Sequence, residues 1–300
     1  MLFRSGTRAA VVGDTMPGAQ LMAAMGIQRT TQDTAKIAGA LSGAGLVAAL
    51  GMGPALAVVA GLYATSVLLT WKAGIAHVAP IAPAAAAIKP ARASPWRDVR
   101  AGLAYVRHTP LLFAVMCLAF LLNLTAFPLL TGLLPYVAKE IYHTGQTGLG
   151  YMVAGAAFGA LVGSISLSRY SSAIRPARLT IVACVAWYAM LLVFSQLQNP
   201  AAGIMLLMCA GFAQSLSQVP MAAILLRNSD TRFRGRVMGI RMLAIYGNVP
   251  GLLISGPLIA RFGYPVTVSL YCAFGITFAL LMAVRWRDQL WRRDAPANVR

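Results

Sequence analysis

Between Ile37 and Trp71 the chain reads IAGALSGAGLVAALGMGPALAVVAGLYATSVLLTW, without one charged side chain. A helix rises about 1.5 Å per residue, so about 20 apolar residues cross a hydrocarbon layer of roughly 30 Å. The run is too long for one crossing. Gly51-Met52-Gly53-Pro54 interrupts it where a turn fits. Two helices are therefore expected, over 37–50 and 54–71.

Working outward, further apolar runs predict spans at 110–138, 141–168, 179–197, 200–226, 237–260 and 262–284. The total is eight. Open strands would leave backbone groups unpaired in lipid, and the runs lack the alternation of a barrel, so all eight are expected to be helices. The 300 residues are 59% hydrophobic and only 11% charged, with a mean hydropathy of +0.71. Soluble domains carry about 25% charged residues, so an ordinary soluble enzyme is excluded. The net charge of +18 suggests nucleic acid only until its placement is read. With a cytoplasmic N-terminus, 23 of the 25 Lys and Arg fall in inside segments, and Lys139 and Arg261 alone fall outside. That asymmetry is the positive-inside pattern of a cytoplasmic (inner) membrane protein with both termini inside. The expected partner is a lipid bilayer, with no nucleic acid.

Residues 1–36 hold Arg4, Arg8, Asp14, Arg29, Asp33 and Lys36 without a clean apolar core, so no cleavable signal peptide is expected. They read as a cytoplasmic segment, and 285–300 reads as a cytoplasmic tail. The long loop 72–109 starts as a linker, with an Ala/Pro stretch at 79–87. It ends in a predicted surface helix, 95–108, with Ser94 as N-cap and Pro95 at the first position. Trp96, Val99, Leu103 and Val106 would share one face, with Arg97, Arg100 and Arg107 toward headgroups; an ordinary linker helix without lipid contact is the alternative.

Order and spacing then point to a family. Thr7-Arg8, Val12, Asp14 and Pro17 resemble the cytoplasmic stretch after the fourth helix of major facilitator superfamily exporters. The branch is the one with the enterobactin exporter and related secretion effectors. Ile37 to Ala44 resembles that family's fifth-helix antiporter motif, with Ala40 in place of Pro and Ala44 in place of a Gly. Gly102-Leu103, Tyr105-Val106 and Pro110-Leu111 resemble the entry into helix seven, and Arg234-Gly235-Arg236-Val237-Met238-Gly239 the stretch between helices ten and eleven. The resemblance implies an all-α polytopic bundle with a partial N-terminal half and a complete six-helix C-terminal half. It also implies that these are the last eight of twelve helices, so that this chain alone is not expected to transport. The implied activity is secondary transport of a small organic solute by alternating access, with a proton as a candidate coupling ion. A non-transporting remnant, or an eight-helix protein with a channel or assembly role, is the alternative.

Within the spans, Asn123, Gln214, Gln218 and Asn248 are polar, and such groups need partners in lipid. They mark either a substrate pathway or hydrogen bonds between helices. Glycines at four-residue spacing form smooth stripes: Gly39 and Gly43; Gly155, Gly159 and Gly163; Gly247 and Gly251. Helix five packs on helix eight in the family, so Gly39/Gly43 are expected against Gly155/Gly159; packing inside one half is the alternative. Asp14, Arg234 and Arg236 form the cytoplasmic loop motif. Arg241 reads as snorkelling to headgroups. All seven acidic residues are expected outside the hydrocarbon, leaving no carboxylate at membrane depth for a proton relay. The three histidines are scattered, the four cysteines stand singly, and no Gly-Lys loop occurs. No metal, no cofactor and no enzymatic activity are expected.

Overall fold

The computed structural model describes residues 21–76, 95–170 and 175–286. Asp14, the 79–87 stretch, Ser94 and residues 287–300 lie outside the described residues. Among those residues the chain is helical and contains no strand.

Helix α1 spans Leu21–Leu50 and α2 Met52–Ala76, with Gly51 between them. Gly51 has φ +80° and its N–H donates to the Val47 carbonyl at 3.0 Å, a glycine stop that a side chain would strain. The expected start at residue 37 is thus corrected to a helix running unbroken from Leu21. Charges that precede the apolar run pair within the helix: Asp33 accepts from Arg29 Nε at 3.1 Å and lies 3.6 Å from Lys36 Nζ. Spacings of three and four residues put all three on one face.

Helix α3, Pro95–His108, meets α4, Pro110–Thr125, at 113°. Its buried face differs from the expected one. Gly102, Tyr105 and Val106 dock on the chain around Phe233, Arg236 and Ile240, whereas Val99 and Leu103 stay exposed. The single span expected at 110–138 is also broken. After α4 come α5 (Phe127–Thr131), α6 (Leu134–Tyr136) and a wide turn at Val137–Ile141. Pro128 and Pro135 lack the N–H that a continuous ladder needs.

Then follow α7 (Gly145–Tyr170), α8 (Pro176–Phe194) and α9 (Pro200–Arg227). Pro110, Pro176 and Pro200 each occupy the first helical position, where no N–H is missed. Asn199 caps α9, its side-chain oxygen accepting from Ala201 N at 2.9 Å. Helix α10 (Thr231–Ala244) passes through a tight 3₁₀ turn, Ile245–Gly247, into α11 (Asn248–Phe262), and α12 covers Tyr264–Arg285.

Among the described residues six spans have the length and apolarity to cross a membrane: α2, α7, α8, α9, the continuous α10–α11 unit and α12; the bent pair α3–α4 makes a seventh. Eight were expected. Helix α1 falls short because its apolar part is confined to 37–50. It nevertheless runs antiparallel along α7, from Gly26 beside Ser164 to Ala44 beside Gly150. At about 1.5 Å per residue that seam is roughly 21–27 Å long.

The tight core lies in the second half. Trp187 and Tyr188 of α8 are fully buried. Tyr188 OH shares a 2.6 Å hydrogen bond with Thr125 Oγ1, and its ring packs against Gly275. Helix α2 is the opposite case. Ala55 is its one buried residue among those whose exposure is described, and Tyr63 and Trp71 are both more than two-thirds exposed. In lipid such a surface costs nothing, because hydrocarbon tails solvate it as well as protein would.

Candidate functional site

Glycine contacts set the geometry around the centre. Gly155 approaches Ile204, Gly159 the Met208 backbone and Gly163 the Phe212 carbonyl. The register offset is constant, so α7 and α9 run parallel at very close range. Gly211 answers from α9, seated on the Ala156 carbonyl. In the same way Gly247 and Gly251 of the α10–α11 unit sit on Phe120 and Leu124 of α4. Gly39 and Gly43 do not lie against Gly155 and Gly159. A Cβ at either would meet nothing within 4 Å, and α1 reaches α7 through Gly26, Thr30, Ala40 and Ala44 instead. Cysteines at Ala44 and Gly150 are expected to cross-link in membranes, and cysteines at Gly43 and Gly155 are not; the reverse pattern would refute this seam.

Between α1 and the second-half helices lies a cavity of about 520 Å³. Met25, Arg29 and Gln32 contribute from α1, Ala119 and Asn123 from α4, and Phe127 and Thr131 from α5. Gln218, Val219 and Ala222 line it from α9; Met238, Arg241, Met242, Ile245 and Asn248 line it from the α10–α11 unit. The last five fall at spacings of three, one, three and three, one face of a helix. The 3₁₀ turn at Ile245–Gly247 falls on this wall.

Three of the four amides singled out from sequence line the cavity. Asn123 donates to the Ala119 carbonyl at 2.8 Å, which leaves its side-chain oxygen for another donor. Asn248 donates to Thr131 Oγ1 at 3.2 Å, and its own oxygen is buried without a partner. Gln218 accepts from Arg241 Nη2 at 3.3 Å. Gln214, one turn away on α9, is buried but does not line the cavity. Arg29, Gln32, Thr131 and Arg241 were not expected here. Arg241 turns inward to Gln218 rather than outward to headgroups. The signal for Arg29 and Gln32 was their helical spacing after Met25, hidden once 1–36 was read as a cytoplasmic segment.

The Asp33 side chain is fully buried between Arg29 and Lys36, next in sequence to the cavity residue Gln32. Arg234 and Arg236 stand apart from the cavity. Arg234 Nε donates to the Ser229 carbonyl at 3.3 Å, and the Arg236 guanidinium lies 5.4 Å from the Phe233 ring centre. Phe233 stacks on Tyr105 at 4.4 Å, and the Asp230 N–H donates to Tyr105 OH at 3.1 Å. This cluster fastens α3 to the start of α10. Among the described residues no group of three or more His, Cys, Asp or Glu could hold a metal ion.

Helix α1 on one side and α4, α9 and the α10–α11 unit on the other thus enclose an amide-lined cavity. A family model described as Major Facilitator Superfamily matches residues 5–253. The chain belongs to the major facilitator superfamily. Comparison with the curated proteins finds no match. This major facilitator chain is thus a multi-pass membrane transporter, with a lipid bilayer and a small-molecule substrate as its partners.

Proposed function

We infer that this major facilitator chain serves an exporter, moving a small organic solute across the cytoplasmic membrane by rocking its two halves about the 520 Å³ cavity. The observation that carries this reading is the cavity's position. Helix α1 forms one wall, helices α4, α9 and α10–α11 form the other, and the amides of Asn123, Gln218 and Asn248 converge from three of them. The sequence features that resemble the enterobactin exporter branch favour the outward direction. The distribution of Lys and Arg supports cytoplasmic termini and a cytoplasmic α3–α10 cluster. A proton gradient is the candidate driving force. The chain's own residues bind and orient the solute; no bond is made or broken.

The test uses everted vesicles from cells that express the gene with its native upstream region, assayed against a panel of small organic solutes under an imposed proton gradient. Gradient-driven flux of at least one solute is expected. Asn123→Trp and Gln218→Trp, which fill the cavity, should each reduce it at least about ten-fold, since the indole displaces the solute's own volume. Flux indifferent to both substitutions, or no flux of any solute, would remove this reading.

A further inference from the structure

The two charged residues lining the cavity are both arginines, and they differ in one respect. Arg29 is paired with Asp33 at 3.1 Å. Arg241 forms no ion pair among the described residues; its hydrogen bonds go to the carbonyl and side-chain oxygens of Gln218, at 3.5 and 3.3 Å. No acidic side chain of the described residues lines the cavity. An amide dipole neutralises no charge, so the Arg241 guanidinium depends on water in the cavity for its remaining solvation.

A solute that fills the cavity expels that water. If it is neutral, it leaves a cation in a low-dielectric site with only an amide for company, which is heavily penalised. If it is cationic, it adds repulsion from the Arg241 guanidinium at short range. An anion alone replaces the lost water by a charge-assisted hydrogen bond, and a planar carboxylate matches the guanidinium fork in two places. The free oxygens of Asn123 and Asn248 then suit hydroxyl or N–H donors on the rest of the molecule.

We propose that the cavity selects organic anions, and that Arg241 is the residue that reads the negative charge. The inference rests on the reading of the cavity as the solute site. The full chain in neutral-lipid nanodiscs is titrated with three probes sharing one fluorophore: dansylglycine (anionic), dansylglycinamide (neutral) and dansylcadaverine (cationic). Dansylglycine is expected to bind at least about ten-fold more tightly than the amide, the difference that one partly desolvated ion pair supplies, and the cation is expected to bind most weakly. Arg241→Gln should erase the preference and Arg241→Lys should keep part of it. Gln218→Glu should erase it with Arg241 still present, because the new carboxylate occupies the guanidinium from 3.3 Å away. Equal binding of the three probes, binding of none, or a preference that survives both Arg241→Gln and Gln218→Glu would overturn the proposal. The flux measurement separates the two readings. Arg241-dependent anion binding without any flux defeats the transporter reading and leaves the anion site standing, whereas flux of neutral solutes indifferent to Arg241→Gln does the reverse.

Discussion

Gly159→Leu is expected to abolish the folded protein, whereas Gly39→Leu, in the same kind of stripe, is expected to leave thermal stability within about a degree. At Gly159 even a Cβ would collide with the backbone carbonyl of Met208. A carbonyl in mid-helix cannot swing aside as a side chain can, so α7 and α9 would have to separate along the whole seam. Separation would also undo the reciprocal seat of Gly211 on Ala156. Close approach is the main source of attraction between helices in lipid, where burial of apolar surface gives little. Over-packing typically costs about 1–3 kcal/mol, and a leucine against backbone belongs above that range. At Gly39 an added Cβ meets open space. Thermal unfolding of the two variants in detergent, followed by size-exclusion fluorescence, gives the comparison. Equal behaviour would mean that the stripes are interchangeable and the α7–α9 seam is not as close as described.

Asp33→Asn should rank next in effect. It removes the negative member of a cluster whose carboxylate is fully buried and leaves Arg29, with a side chain only 21% exposed, lacking its counter-charge. Breaking a buried ion pair on one side costs about 3–5 kcal/mol. Arg29 keeps contact with the cavity and Lys36 is half exposed, so a loss near about 3 kcal/mol is expected. The double replacement Arg29→Leu with Asp33→Leu should recover most of that loss, because an apolar pair needs no compensation in this setting. The sign of the coupling decides the matter: a double variant less stable than Asp33→Asn would show that the carboxylate does not act through Arg29.

Most spans could be read from apolar runs, because lipid forbids unpaired backbone and so turns hydropathy into topology. Charge placement hid the first part of α1, Leu21 to Lys36. Arg29, Asp33 and Lys36 look like the end of a membrane segment in one dimension, and become an internally neutralised face only when the helix is drawn through them. The glycine stripes could be read as stripes, since four-residue spacing fixes a shared face, but spacing does not name the neighbour. Hence Gly155 and Gly159, expected against Gly39 and Gly43 of α1, meet α9 instead, as Gly163 does. The cavity was partly legible. Asn123, Gln218 and Asn248 stood out because amides are rare in apolar runs. Arg241 did not, because a cation near a helix end has an ordinary explanation in headgroup contact, and only its bond to Gln218 on α9 shows that it points inward. Gln214 carried the same sequence signal as Gln218 and sits one turn out of register with the opening.

The polarity of α1 also bears on how the protein enters the bilayer during synthesis. With Arg29, Asp33 and Lys36 along it, this segment partitions poorly from the translocon by itself, and its lengthwise companion α7 begins at Gly145, nearly a hundred residues later. At roughly 5–20 residues per second that is a wait of about 5–20 s. The strongly apolar α2 is the next segment to emerge, joined through Gly51 alone. Joint entry of α1 and α2 as a hairpin, with the Arg29–Asp33 pair closed, is the expected route.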